Sequence, residues 1–78
     1  MMDNDINQLD LSLDDILKHS LKGISKYLID NYTTDELHIM RRLLRQRQSK
    51  FSLKEKQYRE FNHYIAIFNL AESIKRTL

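Results

Sequence analysis

Hydrophobic positions recur every three to four residues in three separate stretches of the chain, the spacing of an amphipathic helix rather than the strict alternation of a strand. Leu13, Ile16, Leu17, Leu21, Ile24 and Leu28 form one apolar stripe, with Lys18, Lys22 and Lys26 on another face. Leu37, Met40 and Leu44 form a second, flanked by Ile39 and Leu43. The third stretch is greasier: Phe61, Tyr64, Ile65, Ala66, Ile67, Phe68, Leu70, Ala71 and Ile74 leave only a narrow polar strip between Asn62 and Asn69.

A Ser or Thr followed three residues later by an acidic side chain marks a helix start, because each side chain satisfies an amide that the first turn leaves unpaired. Ser12 with Asp15, Thr33 with Glu36 and Ser52 with Glu55 carry this signature, the first with Asp in place of the usual Glu or Gln. The pattern predicts helices over about 13–31, 34–49 and 53–77. Gly23 falls inside the first and reads as a tolerated interior glycine, since the stripe stays in phase across it, at a cost of about 1 kcal/mol relative to Ala; the alternative is a close helix crossing, where the missing Cβ lets another backbone approach. Residues 1–11 read as a disordered acidic N-terminus, and residues 12–78 as a single three-helix domain. The expected fold class is all-α: a three-helix bundle, or a helical hairpin plus one helix, with dimerisation as a way of completing the core.

An outer helix needs an apolar stripe of somewhat over about 100°, and the third helix has more than that. It is either the central element, sandwiched between the other two, or it offers a surface to a partner. Helices one and two are short for covering both of its sides. The expected protein interface is therefore Phe61, Tyr64, Ile67, Phe68, Leu70 and Ile74.

Composition sharpens this reading. A 78-residue chain without cysteine has no disulfide or thiolate metal site to compensate for a small core, and such domains often gain stability by association. Proline is absent and glycine occurs once, which favours long helices. The net charge of +2 conceals a polarised chain. Residues 1–15 carry five acids and no base, while residues 38–50 carry five bases, Arg41, Arg42, Arg45, Arg47 and Lys50, and no acid. These two runs are expected to attract each other. Alternatively the arginines contact an anionic partner, nucleic acid above all, with Gln46 and Gln48 suited to adenine edges. A solvated structural face is the third reading.

No chemistry of catalysis is legible. His19, His38 and His63 fall one to a helix, without the helical spacing of a zinc site. No glycine-rich phosphate loop is present, and the carboxylates sit where helix capping explains them. The chain is expected to be non-enzymatic, with no cofactor, metal or small-molecule substrate. No apolar run approaches spanning length, so a cytoplasmic protein without membrane contact is expected.

The segment KEKQYREFNHYIAIFNLAESI, residues 54–74, resembles in outline the second helix of the small co-chaperones that protect type III secretion needle subunits. That resemblance implies a secretion-type co-chaperone as one alternative. The richness in Lys, Ile, Asn, Asp and Tyr resembles products of AT-rich genes, such as those of phages and plasmids, and fits a bacterial or phage accessory protein. Together the residues point to a small helical adaptor or regulator, acting by self-association or by gripping a partner protein through helix three. A nucleic-acid-binding regulator using the arginine cluster is the rival reading.

Overall fold

The computed structural model describes residues 2–19 and 21–78, with side chains from residue 7 onward. The protein is all-α, built from α1 (Met2–Ile16), α2 (Ile24–Asn31), α3 (Thr34–Gln48) and α4 (Lys56–Thr77). The expected second and third helices are present; the expected first is not one rod.

Its break falls between Ile16 and Ile24, and Gly23 explains it. Gly23 adopts φ +80°, a left-handed conformation that glycine enters without a Cβ clash, and it stands immediately before α2. It is a helix boundary, not a tolerated interior residue. The last amides of the preceding turn pair three residues back, Lys18 to Asp15 at 3.2 Å and His19 to Ile16 at 3.0 Å, the tightened pattern of a helix running out. Redirecting the chain here lets α1 pack on α3 and α2 pack on α4. A straight helix over 13–31 has one axis and cannot follow both.

The expected disorder of residues 1–11 is likewise replaced by helix from Met2, residue 1 lying outside the described residues. Leu9 is buried alongside Leu13 and Ile16, so the apolar stripe of this helix starts before the expected domain does. Ser12 is no cap. Its hydroxyl donates to the Gln8 carbonyl at 3.0 Å from within α1.

The other two start signals operate as expected, one of them in part. Thr33 and Glu36 form the full reciprocal box: the Glu36 amide donates to Thr33 Oγ1 at 3.1 Å and the Thr33 amide to Glu36 Oε1 at 2.8 Å. At the third start only the return bond forms, from the Ser52 amide to Glu55 Oε2 at 2.7 Å, and regular helix begins at Lys56.

Helices α3 and α4 fold back as an antiparallel hairpin. At one end the buried Gln48 amide donates to the Tyr58 carbonyl at 3.0 Å and to Asn62 Oδ1 at 2.7 Å. At the other, His38 and Arg41 face Glu72 at 3.8 and 3.6 Å. Between them Leu37, Met40, Leu44, Ile65, Phe68 and Ala71 are buried with Leu13 and Leu28 in one core. Arg47 staples α1 to the hairpin, donating to Asp14 Oδ1 at 2.8 Å and to both the carboxylate and the carbonyl of Asp10 at 2.9 Å. The attraction expected between the acidic and basic runs is thus realised, through one arginine. Burial works against the Arg47 charge, but these hydrogen bonds outweigh it and raise its pKa.

Candidate docking surface

With 22 residues, α4 is about 33 Å long at 1.5 Å per residue, close to the 36 Å long dimension of the molecule. Its companion α2 has eight residues, about 12 Å. A partner that short covers only part of one flank, and the remainder stays open.

The six residues expected at the interface divide accordingly. Phe68 is fully buried in the core and leaves the candidate surface. Its place in the sequence pattern gave no sign of this, because Phe68 sits between two greasy flanks and only the packing of α3 and α2 decides which is inward. Phe61 is half-buried and stacks on Phe51, with ring centroids 5.8 Å apart. Tyr64 and Ile67 are half-buried against the core. Leu70 and Ile74 remain 53% and 38% exposed. Ile67, Leu70 and Ile74 follow one another at intervals of three and four, so they share one face of α4.

Tyr64 has a second task. Its hydroxyl lies 3.0 Å from the His19 carbonyl and 3.4 Å from that of Leu17, two acceptors released by the break after α1. It thereby ties Leu17 and His19 to the first half of α4. Burial, with the nearby Glu60 carboxylate, raises the Tyr64 pKa. An open groove of about 610 Å³ is lined by Leu21 and, on α4, by Lys56, Arg59, Glu60, His63 and Tyr64. A smaller recess of about 120 Å³, lined by Leu17, Gln57 and Phe61, shares Glu60 and Tyr64 with it. The sequence reading missed Leu21, Lys56, Arg59 and His63 as surface partners of the apolar stripe. The signal was there: 56, 63, 67, 70 and 74 are separated by seven, four, three and four, a single helical face.

The arginine cluster is dispersed. Arg47 is consumed by Asp10 and Asp14. Arg41 is largely buried, bonded to His38 Nδ1 at 3.2 Å and facing Glu72, with its Nε unpaired among the described residues. Gln48 has gone into the hairpin core and is lost to any base edge. Arg42, Arg45, Lys50 and Gln46 stay exposed, and none of the three cations forms an ion pair among the described residues.

Glu72 is the buried acid of this hairpin. Arg76 binds its Oε2 at 2.8 and 3.2 Å, and that hydrogen bonding holds the carboxyl below the usual range against the opposing effect of burial, with Arg41 and His38 adding attraction. The Lys75 ammonium caps α2, donating to the carbonyls of Ile29, at 2.7 Å, and Tyr32. These charges hold helices together; they do not converge on a cavity. Among the described residues no three His, Cys, Asp or Glu side chains are grouped to hold a metal ion, and no helix is long and apolar enough to cross a membrane.

Comparison with protein-family models, curated proteins and solved structures finds no match to this chain.

Proposed function

We propose that the protein is a small non-enzymatic helical adaptor or regulator that acts by docking the open face of α4 on a partner protein. The observation that carries this reading is the exposure of Leu70 and Ile74, one turn apart, in line with the half-buried Ile67 on the longest helix. Apolar side chains three and four positions apart on one helix face are the anchors of helix-in-groove recognition, because burying them removes apolar area at little cost in order.

Arg42, Arg45 and Lys50 support the rival reading, contact with a nucleic-acid backbone, less well. Two of the five bases, Arg41 and Arg47, are engaged with Glu72 and with Asp10 and Asp14, and three exposed cations on one helix and its end are few for an electrostatic footprint.

The test is capture with the full chain from its native host, run beside Leu70→Asp/Ile74→Asp. Both positions are exposed, so the double variant is expected to keep its helical circular dichroism while losing the proteins retained by the wild type. Retention of nucleic acid in place of protein, released by salt, would overturn the proposal. So would a partner held equally by the double variant.

A further inference from the structure

We infer that the occupant of the α4 face is an amphipathic helix of a different protein, with acidic side chains over the Lys56–Arg59–His63 end and apolar ones over Ile67, Leu70 and Ile74. This deepens the docking reading above and rests on it.

The face is chemically graded. Lys56, His63, Ile67, Leu70 and Ile74 lie on one side of α4 over 18 residue steps, about 27 Å, with Arg59 lining the groove at the basic end. The groove lining there carries two permanent cations and a histidine against one acid, Glu60, whose contact with Lys56 is a loose 4.0 Å between exposed side chains. It lies beside the N-terminus of α4, where the helix dipole adds positive potential. Leu21 and Tyr64 supply an apolar floor between these charges. A groove so built accepts a hydrophobic anchor flanked by carboxylates. The other end carries no charge on the stripe and accepts aliphatic side chains alone.

The same grading argues against a second copy. Two α4 faces laid antiparallel put Lys56 and Arg59 on the partner's Leu70 and Ile74, which desolvates cations without pairing them. Laid parallel they set cation on cation. The acidic helix among the described residues, α1, is engaged along its second half: Leu9, Leu13 and Ile16 are buried, and Asp10 and Asp14 hold Arg47.

The probe is a pair of synthetic helical peptides of about 18 residues, long enough to span the face. They share leucines at heptad spacing and differ only in having Glu or Lys beside the leucines of one end. Each is titrated into the isotopically labelled full chain and followed by amide chemical shifts. The Glu peptide is expected to shift Leu21, Tyr64, Ile67 and Leu70 and to bind about tenfold more tightly than the Lys peptide, as two or three rim charge pairs imply. In Lys56→Glu/Arg59→Glu the preference is expected to reverse. Equal binding of both peptides, absence of binding by either, shifts confined to Arg42 and Arg45, or an unchanged preference in the charge-reversed variant would each overturn the inference. The broader docking reading is scored separately, by whether Leu70→Asp/Ile74→Asp abolishes capture of the native partner.

Discussion

Gly23 holds a left-handed backbone and Glu72 a buried charge. At Gly23 nothing lies within 4 Å of where a Cβ would stand, so the penalty of Gly23→Ala is one of backbone conformation alone. The left-handed region costs an L-residue about 1–2 kcal/mol, and the variant is expected to melt lower by about 4–8 °C per kcal/mol for a domain of this size. An unchanged melting temperature would mean that the turn into α2 can be made another way. Glu72 gives a pH signature. Its folded pKa is lowered, so its contribution to stability is complete above the ordinary glutamate range and is lost as pH falls through the lowered folded value. Glu72→Gln should therefore lower stability at neutral pH, by about 1–3 kcal/mol from the lost charged hydrogen bonds, and flatten the acid limb of the stability–pH curve. Chemical denaturation at several pH values measures both.

At the scale of elements, α1 is held by its buried Leu9, Leu13 and Ile16 and by a bond between charges. Arg47 is only 22% exposed at its side chain and holds two carboxylates that are about half exposed. Solvent screening limits what such a staple contributes, and Arg47→Ala is expected to cost about 1 kcal/mol and to lessen the salt sensitivity of stability. The same helix shows what the sequence could and could not say. Leu13, Ile16, Ile24 and Leu28 were legible as core from their spacing, and all four are buried. That they belong to two helices was not, because a stripe that stays in phase across Gly23 is equally consistent with a straight rod and with a bent chain. Only the glycine's positive φ distinguishes them. The Thr33–Glu36 box was legible because capping is local chemistry. Ser12 with Asp15 had the same letters and a different role, since α1 is already under way at Ser12, with Leu9 buried upstream of the cap signal.

For the whole molecule, the decisive quantity is length. A helix of 22 residues set against neighbours of eight and fifteen leaves surface uncovered, and the greasy third stretch of the sequence announced that surplus before any packing was known. Which residues form it was less legible. Phe68 is wholly inside while Leu70, two positions on, is 53% exposed. That division depends on the direction from which α2 and α3 approach, which no periodicity on α4 itself encodes.

The pairing of α1 with α3, and of α2 with α4, has a kinetic corollary. The α3–α4 hairpin is closed by Gln48 at one end and Glu72 at the other, whereas α1 packs mainly on α3. Opening free energies then form a hierarchy, and deuterium should replace the amide protons of α1 well before those of α3 and the middle of α4. Uniform protection across all four helices would instead mark the protein as one cooperative unit.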